Sequence, residues 1–451
     1  VNDDANKKDT TYWQQHRPVP LTMMETTDYH RKDSIYTVHN SKSYLDSIDR
    51  KANNFNIKDF FFGYNYGNRF HHLYYEWSNP LLGLSFNTVE GFNITLRNSL
   101  RKDFPDEVRS WKVISDVRYG FSDHQLKLRG SFEYKNHPIH HQQWLLGAGI
   151  YPTQINEDEP IYEIVNAVYS LIATENFMKL YEKKFLSAQH VREWFNGFRL
   201  TSTISYADRI PLPNASDYSF DVIGQNQYSP NNFFTNEHAD SITHTQALTF
   251  GLRAAITIGQ HYITRPTGRF ATSSKFPTFI IEYKKGIHAF ASEVNFDVAE
   301  VSTAYQLNLG LFGTSEIYAS VGSFINRKAI SLIDFKHFKG NQTIFGTHYQ
   351  NGFQLLPYYS FSTDQSWLEG HYEHHFRGFI LNKIPLIKKL NLQEVGGAHL
   401  LLTNDISYFE VDVGIEHLFK FLRVDFISSF IDTGKIDAGF LIGVSMAINV
   451  N

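Results

Sequence analysis

From about residue 57 onward, apolar and polar side chains alternate along the chain with a period of two. In "LKLRGSFEYK" (126–135) the even positions are mostly apolar and the odd positions are polar or charged. The stretches "WKVISDVRYG", "ALTFGLRAAITI" and "TAYQLNLGLF" follow the same pattern. Successive side chains of a β-strand point to opposite faces of its sheet, so this period predicts strands with one apolar and one polar face.

The length and the ends of these runs distinguish two kinds of β protein. A soluble β-sandwich also alternates, but its strands are usually shorter than these runs of about ten residues. Many runs end in aromatic residues, as the interfacial girdles of a membrane barrel require. Counting the runs from Phe70 to Ile448 therefore predicts an all-β fold, a transmembrane antiparallel β-barrel of about 16 strands, with both chain ends on the periplasmic side.

Residues 1–56 follow a different pattern and form the first of two predicted domains. Thr22 precedes Glu25 by three residues, which is a capping-box signature, and a polar helical stretch follows to about Lys51. We interpret 1–56 as an N-terminal periplasmic helical segment and 57–451 as the barrel. Because the chain begins "VNDDANKKDT", without Met or a signal peptide, we expect a processed or partial chain.

Two stretches interrupt the strand pattern. "EPIYEIVNAVYSLIATENFMKLYEKK" (159–184) spaces its apolar residues as an amphipathic helix does, and we expect it to pack on or inside the barrel, with partner binding as the alternative. The region from about Ala207 to Asp240 is rich in Asn, Asp, Ser and Pro and predicts a long exposed loop.

The composition excludes several classes of function. The net charge is -4, so no basic surface indicates nucleic-acid binding. Cysteine is absent, which excludes disulfides and thiolate metal sites. No run of 18 apolar residues predicts a transmembrane helix. No G-x-S-x-G, H-E-x-x-H, G-x-G-x-x-G or P-loop motif occurs, so we expect neither an enzyme nor a cofactor.

The stretch "EGHYEHHFRGF" (369–379) concentrates imidazole and carboxylate groups, which are common metal ligands. In a strand, one face carries Glu369, His371, Glu373, His375 and Arg377. Histidines spaced i,i+2 can bind a metal ion. However, the acids and the arginine on the same face already offer charge partners to the imidazoles. We therefore predict no metal, and a polar wall facing a water-filled lumen.

The same alternation marks a second set of residues near the C-terminus as facing the lumen. This set comprises Glu410, Asp412, Glu416, Arg423 and Asp425. Barrels of this size are often plugged by their own side chains or loops, so a charged lumen does not by itself predict an open pore.

Several phrases together resemble a known family. They are "RPVPLT" (17–22), "YSLIATENFMKLYEKKF" (169–185), "FKHFKGNQTIF" (335–345), "LLPYYSFSTD" (355–364) and "HYEHHFRGFILNKIPLIKKLNLQEVGGAHLL" (371–401). The series resembles the Bacteroidota outer-membrane family of domain of unknown function 5686 over nearly the whole chain. In that family a carboxypeptidase-regulatory-like sandwich normally precedes the barrel.

The last third is similar, more weakly, to barrels of the BamA and TamA type, which insert or translocate outer-membrane proteins. The likeness rests on "FEVDVGIEHLFKFLRVDFISSF" (409–430) and the following "IDAGFLIGVSM". Where those barrels carry a lumen-inserted loop with an Arg-Gly pair, this chain has Gly340, Asn341, Gln342, Thr343, Ile344 and Phe345. Ile344 takes the place of the arginine, which in those barrels latches the loop to an acid on the wall.

These likenesses imply a multi-pass protein of the outer membrane of a Gram-negative bacterium. We expect a non-enzymatic subunit of an outer-membrane protein assembly or export complex, with lipid and other protein subunits as partners and no small-molecule substrate. The alternative is a scaffold barrel in a surface-protein or nutrient-uptake complex, without transport of its own. A poorly hydrogen-bonded seam between first and last strands favours assembly, whereas a fully paired seam with a plugged lumen favours the scaffold.

Overall fold

The computed structural model describes most of the chain. The described residues are 10–17, 19–105, 108–137, 140–220, 222–223, 227–232, 241–265, 268–272, 274–385, 387–432, 434 and 436–444. Among them, no helix combines the length and the apolar character needed to cross a bilayer.

Helices precede the sheet, and they continue past the predicted boundary at residue 56. They are α1 (Thr10–His16), α2 (Met23–His39), α3 (Lys42–Ala52) and α4 (Ile57–Phe62). The capping box of α2 is confirmed: Thr22 N donates to Glu25 Oε2 at 2.8 Å, and Glu25 N donates to Thr22 Oγ1 at 3.3 Å. The extra helix α4 is capped at its start by Asn56, whose N–H donates to the Asp59 carboxylate at 2.7 Å. The sequence prediction does not use this local capping signal and places the start of the period-two pattern at residue 57.

The rest of the described chain is mostly β-strand. The strands are β1 (Tyr64–Asn68), β2 (Leu73–Trp77), β3 (Leu84–Asn87), β4 (Gly91–Asp103), β5 (Ser110–Gly120), β6 (Leu126–His137), β7 (Gln142–Gln154), β8 (Leu180–Phe195), β9 (Phe198–Pro211), β10 (Thr245–Thr257), β11 (Tyr262–Arg265), β12 (Gly268–Ala271), β13 (Thr278–Ile287), β14 (Asn295–Asn308), β15 (Thr314–Ala329), β16 (Ser366–His375), β17 (Gln393–Thr403), β18 (Ser407–Leu418), β19 (Leu422–Ile431) and β20 (Ile436–Val444). Eighteen of them form one sheet, and β11 and β12 form a separate hairpin.

The sheet is an antiparallel meander in which each strand from β4 onward pairs with the next strand of the wall. Strands β2 and β3 share one edge of β4, separated by a 3₁₀ turn (Pro80–Gly83), so they form one interrupted strand. Counting that pair once, and leaving out β1, which pairs only with β2, gives a wall of sixteen strands. The predicted strand number is confirmed.

The alternating faces of the strands also point in the predicted directions, with apolar side chains outward and polar side chains inward. On β6, Leu126 and Leu128 are 70% and 54% exposed on the outer face, whereas Lys127 between them is 1% exposed. An outer face of exposed apolar side chains around buried charges is the pattern of a barrel wall in a membrane.

The three longest connections lie at one end of the barrel, here called the long-loop end. They join β7 to β8, β9 to β10 and β15 to β16. The predicted helix in the first of these is confirmed as α5 (Glu163–Ala173). The predicted loop 207–240 begins later, because β9 extends to Pro211, and its residues 221, 224–226 and 233–240 lie outside the described residues.

The connection from β15 to β16, residues 330–365, enters the lumen and is here called the plug loop; beside it remains a cavity of about 790 Å³ lined by residues such as Arg253, Glu282 and Glu300. The side chains and backbone of the plug loop bond to strands on widely separated parts of the wall, through Arg209 on β9, Glu300 on β14, Glu316 on β15, Glu410 on β18 and Asp425 on β19. One loop can contact all these strands only because the sheet curls around it. Phe338, Phe353 and Leu356 of the loop pack with Trp367, Leu401 and Tyr408 of the wall in the main apolar core.

Candidate functional site: the lumen and the seam

The stretch that resembled a metal site is one strand of the lumen wall. Glu369, His371 and Glu373 on β16 are nearly inaccessible, and His375 at the strand end is one-fifth exposed. Glu373 faces Glu316 across the strand pair. Arg377 lies apart from this row: β16 ends at His375, and Arg377 sits in the following turn, exposed, with φ +53°.

A chain of hydrogen-bond contacts crosses from β16 to β18. His371 Nε2 lies 3.0 Å from Glu369 Oε1, His399 Nε2 lies 3.0 Å from Asp412 Oδ2, and the two Nδ1 atoms lie 2.8 Å apart. Both Nε2 atoms must donate, because carboxylates only accept. In the contact between the Nδ1 atoms one nitrogen must donate and the other accept, since two unprotonated nitrogens would repel each other.

Arg423 on β19 is the centre of the second predicted set. Its Nε donates to both carboxylate oxygens of Asp425 at 2.8 and 2.9 Å, and its Nη1 donates to Glu373. Asp412 lies 3.7 Å away, and Glu416 pairs with His375 at 3.1 Å. The structure therefore brings members of both predicted sets around one guanidinium: Glu373 from the first set, and Asp412 and Asp425 from the second.

Among the described residues, Glu316, Glu373 and His375 form a group compact enough for a metal ion, with ligand atoms within 4.8 Å of one another. Each is already engaged: Glu316 accepts from Gln350 at 2.6 Å, Glu373 from Arg423, and His375 pairs with Glu416. A guanidinium beside a carboxylate opposes a second cation there. The absence of a metal stays a prediction.

The loop segment Gly340–Phe345 forms a tight turn built on Asn341. The Asn341 Nδ2 donates to the Phe345 carbonyl at 2.9 Å, and its Oδ1 accepts from Thr343 N at 2.9 Å. Gln342 Oε1 accepts from Tyr358 N at 3.0 Å. A Cβ at Gly340 would lie 2.3 Å from the Leu356 carbonyl, so only glycine allows this close approach. The turn exposes Ile344 and Phe345 at the plug surface.

The latch between plug loop and wall is Tyr349, which sequence reasoning missed. Its hydroxyl donates to Asp425 Oδ2 at 2.9 Å, and its ring lies 3.7 Å from the Arg423 guanidinium carbon. The loop, which has Ile344 where the likened barrels have an arginine, thus supplies an aromatic ring to an arginine of the wall. A tyrosine four residues after Phe345 carries no pattern of its own, so no signal in the sequence identified it.

His337 ties the start of the plug loop to its end. Its Nε2 donates to the Leu332 carbonyl at 2.9 Å, and its Nδ1 accepts from the Ser362 hydroxyl at 2.6 Å. Burial lowers the pKa of His337 to about 4, because the charged imidazolium loses its hydration there. The neutral ring is therefore the form that the folded loop holds.

Acid is expected to loosen the plug loop through His337. The pKa is lower in the folded protein than in the unfolded chain, so stability is complete above about pH 6.5 and falls towards pH 4, by on the order of 3 kcal/mol. The midpoint of thermal unfolding in detergent, followed from pH 7.5 to 4.5, measures this slope. His337→Gln keeps one donor and one acceptor and should flatten it. An equal slope in both proteins would assign the acid sensitivity to other groups.

The seam is the gap in strand pairing between β20 and the first strands, β1 and β3. Across the described residues, no ladder joins them. On β1, the Asn53 side chain of α3's C-cap instead bonds to Gly67, accepting from its N–H at 2.9 Å and donating to its carbonyl at 2.7 Å. On β20, Ile442 bridges to the plug loop: Ile442 N donates to Ile344 O at 2.8 Å, and Gly346 N donates to Ile442 O at 2.9 Å.

Helix α5 connects the two sides of the seam at the long-loop end. It packs against β3, and its Tyr169 hydroxyl accepts the Ile344 N–H at 2.7 Å. Ile344 is in turn bonded to Ile442 on β20. A helix and a loop segment thus stand where strand pairing would close an ordinary barrel. The predicted packing of this helix on or inside the barrel is confirmed.

Comparison with solved structures finds large barrels at low similarity. BamA from Haemophilus ducreyi lacking POTRA domains 1-3 has a TM-score of 0.40 at 8% identity, covering 82% of this chain and 70% of that one. CdiB from Acinetobacter baumannii has a TM-score of 0.36 at 10% identity, covering 80% and 58%. A mutant of the Rh. blastica porin has a TM-score of 0.33 at 10% identity, covering 80% and 95%.

Comparison with curated proteins finds no match. A family model, in contrast, matches residues 58–415, which include the strands from β1 to β17, most of β18, the plug loop and α5. That model describes the C-terminal domain of a family of unknown function, DUF5686. The match spans most of the chain, and the chain therefore belongs to the DUF5686 family.

Proposed function

We propose that this protein is integral to the outer membrane of a Gram-negative bacterium and is a non-enzymatic subunit of a protein assembly or export complex. The unpaired seam is the single observation that carries the proposal. A barrel that only spans a membrane has no need of an open strand edge, and closure removes the hazard that such an edge presents.

The backbone groups on the free edge of β20 indicate what kind of partner the seam can bind. Since Ile442 directs its N–H and C=O away from β19, alternation directs those of Ala438 and Phe440 the same way. Over the described part of β20, only Ile442 bonds to another segment from this edge, while the Ala438 N–H donates to the adjacent Asp437 Oδ1 at 2.9 Å. In hydrocarbon each unsatisfied backbone group costs several kcal/mol, so lipid is a poor cover for such an edge. An extended segment of another chain would satisfy it by strand addition.

The plug loop already covers one position of this edge. Its residues Ile344 and Gly346 occupy one position of β20, in a parallel bridge that is too short to be a strand. A strand arriving from a partner would displace that bridge and gain the neighbouring positions. The scaffold alternative needs no such displacement, so the two functions differ in whether the bridge must break.

A reversible lock on the bridge tests the proposal. The chain contains no cysteine, so the double variant Phe345→Cys/Ile442→Cys introduces one defined disulfide at the bridge. In cells carrying only this variant, we expect the oxidised lock to lower the abundance of other outer-membrane barrels severalfold, and a reductant to restore it. Quantitative proteomics of the outer membrane measures both.

The matched control places the same disulfide inside the continuous wall. Ala398 and Val411 face each other on β17 and β18, so Ala398→Cys/Val411→Cys tests the effect of a crosslink alone. We expect normal barrel abundance with it. Unchanged abundance with the Phe345–Ile442 lock, and after depletion of the whole protein, would reject assembly or export and leave the scaffold.

A further inference from the structure

Helix α4 presents an apolar surface that nothing in the described chain covers. Its side chains Ile57, Phe60, Phe61 and Phe62 are 82%, 54%, 49% and 64% exposed. The ring of Phe60 lies 6.0 Å from that of Trp77, and the helix packs beside the 3₁₀ turn that interrupts the first strand. Exposed phenylalanines grouped in this way mark an interaction surface.

The strand register fixes the face on which α4 lies. Trp77 pairs with Asn98, and its neighbour Tyr75 pairs with Leu100 and donates to Asn98 Oδ1 at 2.7 Å. These side chains occupy the outer face of the wall, because Phe92 of the same set on β4 is exposed there. Helix α4, which contacts Trp77, therefore lies outside the barrel rather than in its lumen.

The same register gives the position of α4 along the barrel axis. The row below Trp77 continues across the wall from Leu100 to apolar side chains: Val113, Phe132 and Leu146. The row above it continues from Leu96 to Val117, Leu128 and Ile150. Several of these are among the exposed apolar residues of the outer face. The helix thus stands between two rows of the apolar band, near the middle of β4, because Trp77 is level with Asn98 and the 3₁₀ turn is level with Thr95.

We propose that α4 inserts its phenylalanine face into the acyl chains of the bilayer, as a membrane anchor beside the seam. The inference rests on the proposed location of the barrel in the outer membrane. Its apolar surface is continuous with the lipid-facing wall, which favours lipid over a protein partner as the occupant. Short amphipathic helices bind membrane interfaces in this manner, with binding strength that scales with buried apolar area.

The polar residues of α4 are compatible with that placement. Asp59 is engaged with the Asn56 N–H at the start of the helix. Lys58 is exposed and has a flexible four-carbon stem that can carry its ammonium group to the interface. Helix α2 differs in carrying charged pairs on its surface, such as Asp28 with Arg31, as a helix in water does.

The anchor has a mechanical consequence for the seam. Helix α3 caps the outer edge of β1 through Asn53, and Asp49 accepts from the Arg69 N–H at 2.8 Å just beyond it. Helix α4 joins α3 to β1 directly along the chain. Membrane insertion of α4 therefore holds the capped first edge of the wall in place, and leaves β20 as the edge that moves.

Nitroxide accessibility tests the anchor, since the cysteine-free chain allows single-site labels. Phe61→Cys and Phe62→Cys report on α4, Phe440→Cys on the lipid-facing side of β20, and Tyr36→Cys on the exposed helix α2. The purified full chain is reconstituted in nanodiscs of phosphatidylethanolamine and phosphatidylglycerol. We expect labels at 61 and 62 to collide severalfold more with oxygen than with a water-soluble nickel chelate, as at 440, and the reverse at 36.

The controls separate two kinds of failure. If 440 is lipid-like but 61 and 62 match 36, the anchor is wrong and the barrel location stands. If 61 and 62 are shielded from both reagents, α4 packs on protein and the anchor is equally wrong. If 440 itself is open to the nickel chelate, the membrane location fails, and the anchor with it.

Discussion

Replacing Arg209 by methionine is expected to weaken the attachment of the plug loop by about 3–5 kcal/mol. Arg209 on β9 donates to both carboxylate oxygens of Asp334 at 2.6 and 2.9 Å, and the two side chains are 3% and 0% exposed. Without the guanidinium, the buried carboxylate keeps only Lys284, at 3.7 Å. Thermal unfolding in detergent and the rate of proteolysis within residues 330–365 measure the loss.

Two variants establish that a buried unpaired charge is the cause. The double variant Arg209→Met/Asp334→Leu leaves no charge behind and should recover most of the stability. Arg253→Met breaks an exposed pair with Glu282 and should cost less than about 1 kcal/mol. Equal losses in the single and double variants at 209 would mean that packing, not charge, holds the loop there.

Arg423→Met is expected to produce a loss of similar size, about 3–5 kcal/mol, because one guanidinium serves several acids. It contacts Glu373 and Asp425 directly, and Asp412 is 3.7 Å away. The Tyr349 latch loses the cation under its ring at the same time. Urea unfolding of the reconstituted protein measures the change, and it should shrink as the pH falls, since a proton on one carboxylate replaces the missing charge.

Two conservative variants separate the stability contributed by the charge of Arg423, by its paired contacts and by the Tyr349 hydroxyl bond. Arg423→Lys keeps the charge but cannot form the paired contacts to Asp425, so it should restore only part of the stability. Tyr349→Phe removes the hydroxyl bond to Asp425 and keeps the ring, and should cost about 1 kcal/mol. If Tyr349→Phe is as damaging as Arg423→Met, the latch and not the ion pairs dominates the site.

The barrel could be predicted from the sequence because its cause is local. Successive side chains of each strand face the lumen and the outside in turn, so Lys127 between Leu126 and Leu128 already indicates an inner and an outer face. The same rule grouped Glu373 with His375 and Arg423 with Asp425. It could not give the contact of Arg423 with Glu373, which lie 50 residues apart and meet only when the wall curls.

What the sequence did not predict depends on contacts between distant segments. Tyr349 is a latch only because Asp425 is opposite it, and α5 reaches the seam only because Tyr169 meets Ile344. Arg377 shows the limit of alternation, since the rule applies only while the strand lasts and β16 ends two residues earlier. The interrupted first strand likewise follows from the turn at Pro80–Gly83, whose leucines keep the run apolar.

The anchoring of the plug loop has a consequence for the permeability of the envelope. The loop is held by ion pairs to β9 and β14 and by hydrogen bonds to carboxylates on β15, β18 and β19, whereas its backbone link to β20 is a single bridge. Breaking that bridge leaves the other contacts of the loop intact, so β20 can separate from the loop while the loop stays in the lumen. In the proposed function, this wall would open sideways while the loop stays bound to the other strands, so the opening itself would widen no path through the lumen.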